Sequence, residues 1–287
     1  MKYNVLMVLI GMIILIIIYN SFTKDQFISR DIEPHLKEDG FCICKSVLTE
    51  EQCDFYKGLC STGKYQTVKE RIFTEPLLQK CKERIGNDYQ FQDYIFIIQR
   101  SAVHTCHRDN NGDFFNETQK HPSYTLLIFL EDMEKCLGVI PESHTSLYRD
   151  LFYWYDPIKN ILCKRGDAIL FNANLIHVGT INDKDNIRIQ LKLTHRDDIA
   201  AIDYYEKYNK VLNEPNQIPV AFRKIQQRAS CMFPIISNWT QQEYTDILKK
   251  KKDIGNPENP GNPGFFEQIF SYFFYGDPNY YELKDAF

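Results

Sequence analysis

Apolar residues divide the chain into an apolar N-terminal run, a central region of short strand-like stretches and flanking regions with helical spacing. From residue 94 onward, alternating or fully apolar stretches are separated by turn-forming residues. Several short strands without intervening helices are typical of a β-barrel or a β-sandwich. The pattern therefore predicts a mainly β domain. The predicted strands cover residues 94–99, 123–130, 137–140, 168–171, 177–181 and 187–194.

Helical patterns flank this β region on both sides. A capping box at residues 49–52 predicts a helix that ends near Cys60, and a second helix is expected at residues 77–85. Helical spacing returns near the C-terminus, where a Pro- and Gly-rich stretch interrupts it. The predicted segments are an anchor at 1–23, a tether at 24–39, the β domain at 40–198, a helical extension at 199–254, a linker at 255–264 and an aromatic tail at 265–287.

The N-terminal run predicts a single-pass membrane anchor. Residues 5–19 are all apolar, which makes the segment too apolar for a surface helix of a soluble domain. A helix of this length spans about 22 Å, while a comfortable crossing needs ~20 residues. A cleaved signal peptide is the alternative, although the small residues that cleavage requires are nearly absent. The flanking charges leave the orientation open, and sequons at Asn116 and Asn238 suit a luminal body only weakly.

Composition narrows the functional classes. The chain has 287 residues and a net charge of −4, so a nucleic-acid binder that works through a basic surface is not expected. Aromatic residues make up 14% of the chain, which is enough for a buried core and argues against disorder. The nine cysteines form no C-x-x-C motif and are interpreted as buried thiols in a reducing compartment.

Three residues form a candidate metal site. His107 and Asp109 are two residues apart, so both side chains point to the same face if the segment is a strand. His177, 70 residues later, begins another predicted strand and can supply a third ligand. Two histidines and one carboxylate on one face of an octahedron are the ligand set of non-haem Fe(II) oxygenases. Because an H-x-D motif also arises by chance on a surface, further support is needed.

Arg188 supplies that support. If residues 177–181 and 187–194 form a hairpin, Gly179 lies opposite Arg188 and leaves room beside it. Arg188 then projects to the same interior as His177, while the aliphatic face of its strand packs on helices. A charged inward face indicates a pocket that holds an anion. The alternative is a conventional strand that buries its aliphatic residues and exposes Arg188 to solvent.

The motifs resemble those of the phytanoyl-CoA dioxygenase-like branch of the Fe(II)/2-oxoglutarate oxygenases, over about residues 40–198. The matching stretches are HRDN at 107–110, LGVIPESH at 137–144, RGDAILF at 165–171, and the single residues His177, Arg188 and His195. Glu142 departs from the pattern, because the family usually has glycine there. The resemblance implies a double-stranded β-helix, or jelly-roll, core of the cupin type. It also implies that His107, Asp109 and His177 bind Fe(II).

The same resemblance implies a reaction. Arg188 is expected to hold the far carboxylate of 2-oxoglutarate, with Thr125, Arg100 and Gly179 as further candidates near this co-substrate. The expected cofactors are Fe(II), 2-oxoglutarate and dioxygen, with ascorbate as a supporting reductant. Oxidative decarboxylation to succinate and CO2 accompanies hydroxylation of a C–H bond, and the carboxylate at Asp109 favours hydroxylation over halogenation, because related halogenases have a small residue there.

Two other classes of function stay open. One is a cupin-like metal-binding protein without oxidative chemistry, which has no need of Arg188. The other is a catalytically inactive, membrane-tethered interaction protein that works through its aromatic tail. The substrate, whether small molecule, lipid or peptide, has no recognisable code in the sequence, and the expected location is a membrane.

Overall fold

The computed structural model describes residues 2–21, 23–100, 104–148, 151–205, 209–213, 218–253, 272 and 287. The helices are α1 (Lys2–Ser21), α2 (Leu36–Asp39), α3 (Glu50–Ser61), α4 (Tyr65–Ile72), α5 (Glu75–Ile85), α6 (Val220–Met232) and α7 (Pro234–Asp253). The strands are β1 (Gln26–Ile28), β2 (Phe41–Cys44), β3 (Tyr89–Ile98), β4 (Tyr124–Phe129), β5 (Leu137–Val139), β6 (Lys159–Ile161), β7 (Ala168–Asn172), β8 (His177–Val178), β9 (Arg188–His195) and β10 (Asn209–Leu212).

Two facing sheets form the core of the protein. One has four strands in the order β1-β6-β5-β8, and the other has six strands in the order β10-β3-β9-β4-β7-β2. Side chains from both sheets share one apolar cluster, which includes Leu127, Phe129 and Phe171 of the larger sheet and Leu137 and Val139 of the smaller one. The mainly β domain with flanking helices is confirmed, and its two facing sheets are consistent with a jelly-roll-type fold.

Helices α3, α4 and α5 cover the outer face of the six-stranded sheet. The aliphatic residues of β9, among them Ile189, Leu191 and Leu193, are fully buried against side chains of these helices. Burying a leucine or isoleucine side chain contributes about 1.5–3 kcal/mol, so this face stabilises the larger sheet substantially. The expectation that the aliphatic side of this strand packs on helices is confirmed, which leaves its other side for the interior.

Helix α3 begins as its sequence predicts. The Thr49 side chain accepts a hydrogen bond from the Gln52 amide, and the Gln52 side chain accepts one from the Thr49 amide. This reciprocal pair satisfies two backbone donors that the first turn of a helix leaves open. Helix α4 and strands β1, β6 and β10 were not anticipated; the three strands are only three or four residues long.

The predicted hairpin at residues 177–194 is wrong. Strand β8 pairs with β5 in the smaller sheet, whereas β9 lies between β3 and β4 in the larger one. In this two-sheet arrangement the chain crosses from one sheet to the other between β8 and β9. Gly179 is therefore not the cross-strand neighbour of Arg188, whose partners are Phe129 and Ile98.

The expected membrane anchor at residues 1–23 is not supported. Among the residues that the structure describes, we find no helix that is both long and apolar enough to cross a membrane. Helix α1 contacts α6, and the buried Asn20 near the end of α1 donates a hydrogen bond to the Trp154 carbonyl.

The C-terminal predictions fall mostly on residues outside the described part. The linker at 255–264 lies there entirely, as does the aromatic tail at 265–287 except for residues 272 and 287. The carbonyl of Phe287 accepts a hydrogen bond from the Asn209 side chain, and its ring lies 5.8 Å from that of Tyr65.

The turn at residues 140–145 contains Glu142, the position at which the sequence departs from the family pattern. Glu142 has a φ of 66°, in the left-handed region that a non-glycine residue enters at a cost of about 1–2 kcal/mol. The next residue, Ser143, accepts a hydrogen bond from the Ile176 amide, directly before His177. The turn thus supports the strand that carries the candidate ligand His177, although the backbone of Glu142 is strained.

Replacing Glu142 with glycine is expected to stabilise the protein by about 1 kcal/mol, because glycine adopts a positive φ without a Cβ clash. Urea unfolding measures the change. Glu142→Ala is the matched control, since alanine keeps the Cβ and should give no gain. An equal gain from both variants would contradict backbone strain as the cause.

Candidate active site

The two histidines meet because their backbones pair. His107 and His177 exchange both backbone hydrogen bonds, with N–O distances of 3.0 Å and 2.9 Å. The segment around His107 thus extends the edge of the smaller sheet at β8. Paired residues in this arrangement project their side chains to the same face. The two imidazole centroids are accordingly 4.3 Å apart.

Each imidazole is oriented by a carbonyl two residues earlier in the chain. Nδ1 of His107 lies 3.0 Å from the Thr105 carbonyl oxygen, and Nδ1 of His177 lies 3.0 Å from that of Leu175. A carbonyl only accepts, so Nδ1 carries the proton in both rings. The lone pair that can bind a metal is then on Nε2, and the carbonyl fixes the plane of the ring.

Asp109 completes the cluster from the same segment. Its amide donates to the Ala173 carbonyl at 2.8 Å, which fixes the backbone beside the end of β7. One carboxylate oxygen, Oδ1, lies 3.8 Å from Nε2 of His177. One ligand atom from each of His107, Asp109 and His177 lies within 4.8 Å of the others, so the three groups can hold one metal ion.

The second oxygen of Asp109 faces the six-stranded sheet. Its Oδ2 accepts hydrogen bonds from Thr125 Oγ1 and from Lys192 Nζ, both at 2.5 Å. Thr125 and Lys192 are cross-strand neighbours on β4 and β9, and both are fully buried. Thr125, predicted as a co-substrate residue, is thus brought to the cluster as a partner of Asp109. The contact of Lys192 was not predicted, although its position on the charged inward face of β9 was a signal.

Electrostatics give the cluster the protonation state that metal binding requires. Burial, together with a smaller effect of the neighbouring His107, lowers the pKa of His177 to about 3. Burial also lowers the pKa of His107. Burial alone would raise the pKa of Asp109, but Lys192 and the two imidazoles hold it below its ordinary value. Neutral imidazoles and an ionised carboxylate are the forms that bind a divalent cation.

Arg188 lies on the inner face of the larger sheet, at the start of β9. Its side chain is buried at 4% exposure, and it shares a face with Lys192 four residues further along the strand. Burial lowers the pKa of Arg188 to about 10, with Cys136 and Asp185 acting in the opposite direction. The guanidinium therefore remains charged at neutral pH, inside the protein and along the strand from the metal cluster.

Two other predicted co-substrate residues, Arg100 and Gly179, form hydrogen bonds with other parts of the chain. Arg100 is exposed just after the end of β3, and its expected role near the co-substrate stays a prediction. The Arg100 amide donates a hydrogen bond to the Leu212 carbonyl at the end of β10. Gly179 is buried, and its carbonyl accepts a hydrogen bond from Gln227 of α6.

The C-terminal helices α6 and α7 hold the segment that carries the H-x-D motif. The preceding His104 contacts Gln226 at 2.9 Å, and a disulfide joins Cys106 to Cys231. The interpretation of all nine cysteines as free thiols is therefore wrong for this pair. Disulfides that span this many residues stabilise a fold by about 2–5 kcal/mol. The helical extension thus has a direct structural part in positioning His107.

Arg108, the middle residue of the motif, points away from the cluster and is fully buried. Its guanidinium donates to Asn238 Oδ1 at 2.9 Å, to the Ser143 carbonyl at 2.6 Å and to the Asn174 carbonyl. Removing it leaves these buried acceptors without their donor, which costs about 1–3 kcal/mol for each group.

Arg108→Met is therefore expected to lower the free energy of unfolding by at least about 3 kcal/mol. Urea denaturation followed by circular dichroism measures the loss. The control is Arg196→Met in the second H-x-D motif, where the arginine side chain is 66% exposed. That change should cost less than about 1 kcal/mol. Equal losses would show that the buried hydrogen bonds of Arg108 do not stabilise the fold.

The asparagine side chains of both sequons are buried and hydrogen-bonded in the folded chain. Asn116 is 1% exposed, and its Nδ2 donates to the carbonyls of Asn110 and Gly112. Asn238 is 8% exposed, and its Nδ2 donates to the Leu147 carbonyl. A glycan on either nitrogen would break these contacts, so the sequons give no support for a luminal body.

A second cluster of His121, His195 and Asp198 also brings ligand atoms within 4.8 Å of one another. Its two imidazoles are stacked, with centroids 3.7 Å apart and planes inclined by 29°. The nitrogen lone pairs of an imidazole lie in the plane of the ring. In two stacked rings these lone pairs therefore run nearly parallel and do not converge on one point. Both oxygens of Asp198 accept backbone amides of residues 120 and 121. This geometry suits a metal less well than the cluster at His107.

Residues 59–189, just under half of the chain, match the family model described as phytanoyl-CoA dioxygenase (PhyH). The matched segment contains His107, Asp109, His177 and Arg188. No curated protein matches the chain.

Several solved structures are similar to the chain. The non-haem α-ketoglutarate-dependent epimerase SnoN of nogalamycin biosynthesis is 14% identical, with a TM-score of 0.46 over 56% of this chain and 78% of that one. HygX from Streptomyces hygroscopicus is 11% identical, with a TM-score of 0.44 over 56% and 83% of the two chains. EvdO2 from Micromonospora carbonacea var. aurantiaca, solved with 2-oxoglutarate, is 10% identical, with a TM-score of 0.43 over 56% and 88%. At these values the likeness is general and identifies no reaction.

Proposed function

We propose that this chain, in which residues 59–189 match the phytanoyl-CoA dioxygenase family model, is an Fe(II)- and 2-oxoglutarate-dependent hydroxylase. The observation that carries the proposal is the convergence of His107, Asp109 and His177 within 4.8 Å. Two imidazoles and one carboxylate fit ferrous iron and leave three of six coordination positions open. Iron held by these residues would supply the activation of dioxygen needed for decarboxylation of 2-oxoglutarate to succinate and CO2 and for hydroxylation of a C–H bond of the substrate.

Arg188 binds the far carboxylate of 2-oxoglutarate in this proposal. A guanidinium matches a carboxylate with two parallel hydrogen bonds, and such charge-assisted pairs are strong in a buried site. Lys192 lies four positions after Arg188 along the strand, a distance of about 13 Å at ~3.3 Å per residue. The long arginine side chain and an extended dicarboxylate can together span this distance to the cluster.

The remaining residues orient the ligands and exclude water. Thr125 fixes Asp109 from the neighbouring strand, and the carbonyls of Thr105 and Leu175 fix the two imidazoles. The fully buried Phe129 and Phe171 belong to the apolar cluster between the sheets. Apolar walls keep bulk water from the reacting groups, which limits unproductive oxidation.

A metal-binding protein without oxidative chemistry is the second candidate. It shares the cluster but has no use for a buried guanidinium on the inner face of β9. An inactive interaction protein would need neither feature, and the aromatic tail on which it depends lies almost entirely outside the described residues. The burial of Arg188 at 4% exposure therefore favours the oxygenase over both.

Succinate formation tests the proposal on the full chain. The purified protein is incubated with Fe(II), ascorbate, dioxygen and 2-oxoglutarate without a further substrate, and succinate is measured over hours. We expect slow formation by the wild type and none above background by Asp109→Ala. The control is Asp197→Ala, which changes the second H-x-D motif at the surface and should behave as the wild type. Equal succinate from wild type and Asp109→Ala would exclude catalysis at this cluster.

A further inference from the structure

Lys192 is a fully buried cation at the edge of the proposed iron site. Its Nζ lies 2.5 Å from Asp109 Oδ2 and 2.8 Å from Thr125 Oγ1. Burying an ammonium is costly unless an anion and hydrogen-bond acceptors compensate it. Asp109 is the carboxylate that compensates it here. The two charges therefore belong to one buried pair, which also supplies a metal ligand.

The larger sheet has an irregularity opposite the Lys192 side chain. Strand β3 is irregular opposite Lys192, because Phe91 pairs with Leu193 and Ile95 pairs with Leu191, which sets three residues of β3 against one of β9. One of the three, Tyr94, has its ring 5.9 Å from Lys192 Nζ. An aromatic face attracts a cation at this distance. Bulges of this kind often redirect side chains beside active sites.

The pair determines how Asp109 can bind a metal. Oδ2 accepts from both Lys192 and Thr125, whereas Oδ1 faces His177 at 3.8 Å. The carboxylate therefore presents one oxygen to the metal, and two imidazoles supply the other ligands. A metal held by this single oxygen and the two imidazoles would keep positions free for 2-oxoglutarate and dioxygen.

The pair also changes the charge of the centre. Two neutral imidazoles and one carboxylate around a divalent cation carry a net charge of about +1, whereas the additional ammonium raises it to about +2. We propose that Lys192 is a positioning residue whose positive charge lowers the affinity of the centre for the metal ion. The same charge raises its affinity for the dianionic co-substrate. The inference rests on the proposed function, because it assigns the anion as 2-oxoglutarate.

Opposite changes in two affinities distinguish this role from a merely structural one. Lys192→Gln removes the charge but keeps a hydrogen-bond donor for Asp109, so the fold has a partner for the buried carboxylate. We expect Lys192→Gln to bind Co(II) about tenfold more tightly than the wild type. We also expect the Co(II)-loaded variant to bind 2-oxoglutarate about tenfold more weakly, because one positive charge near the dianion is lost.

Anaerobic calorimetry measures both steps: Co(II) into the full chain, then 2-oxoglutarate into the Co(II)-loaded protein. Lys192→Arg keeps the charge, so its affinities for Co(II) and for 2-oxoglutarate should be close to those of the wild type. Thr125→Val removes a neutral hydrogen bond to Asp109 and should not produce the opposite changes. If both affinities fall in Lys192→Gln, or neither changes, Lys192 is structural and the inference is overturned.

The wild-type titrations separate this inference from the proposed function. A wild type that binds Co(II) but no 2-oxoglutarate refutes the proposed function. A wild type that binds both, with unchanged affinities in Lys192→Gln, refutes only the role of Lys192. Thermal unfolding of Lys192→Gln gives a further check, since Co(II) should raise its melting temperature more than it raises that of the wild type. An equal or smaller rise contradicts the inference.

Discussion

Replacing His177 with alanine is expected to weaken metal binding more than a hundredfold and to abolish succinate formation. The variant removes one of three ligands, and even the loss of a residue that merely orients a ligand typically costs 10–100-fold in affinity. In this variant only His107 and Asp109 of the cluster remain to bind the metal. Anaerobic calorimetry with Fe(II) measures the affinity.

His195→Ala is the matched control for this prediction. His195 is an imidazole at the end of β9 and belongs to the second cluster, with Asp198 and the stacked ring of His121. We expect it to leave Fe(II) binding unchanged. If His195→Ala instead removes the binding and His177→Ala retains it, the iron site lies at the second cluster and our assignment is wrong.

Arg188→Ala is expected to raise the dissociation constant for 2-oxoglutarate by at least thirtyfold while leaving Fe(II) affinity nearly unchanged. Truncating one partner of a buried, hydrogen-bonded charge pair costs about 2–5 kcal/mol, and 2 kcal/mol corresponds to about thirtyfold. Titration of 2-oxoglutarate into the Fe(II)-loaded protein without oxygen measures this constant. The metal is bound by other residues, so its affinity separates a local effect from unfolding.

Two further arginine variants sharpen the Arg188 test. Arg188→Lys keeps the charge but loses the paired geometry of the guanidinium, so an intermediate affinity is expected. Arg196→Ala changes an exposed arginine just after the same strand and should have the wild-type affinity. An unchanged 2-oxoglutarate affinity in Arg188→Ala would place the co-substrate elsewhere.

Local sequence patterns predict those parts of the site that depend on one strand. His107 and Asp109 lie two residues apart and face the same way, and the alternation along β9 separates Arg188 from its aliphatic neighbours. Each of these predictions uses only the period of two in a strand. The capping box at Thr49 is equally local, because both hydrogen bonds join residues three apart.

Pairing between distant strands was not predictable in the same way. A hairpin between residues 177 and 194 is the simplest connection for two adjacent strands, yet β8 and β9 belong to different sheets. The choice depends on which strands bury their apolar faces together, and those partners lie far away in the chain. Strand β5, the actual partner of β8, is about 40 residues earlier.

The contacts of Lys192 and Arg108 depend on the same long-range geometry. Lys192 reaches Asp109 only because β4 and β9 are neighbours and β3 is irregular opposite it. Arg108 is fixed by Asn238 of α7, 130 residues away, in an extension whose position no local pattern reveals. A charged residue at an inward strand position is the only sequence signal for Lys192, and it identifies no partner.

An anomalous-difference map from crystals grown with Fe(II) under anaerobic conditions tests the central claim most directly. We predict one iron peak about 2 Å from Nε2 of His107, Nε2 of His177 and Oδ1 of Asp109, with Oδ2 still bound to Lys192. No peak at this position, or a peak beside His121 and His195 instead, would contradict the account.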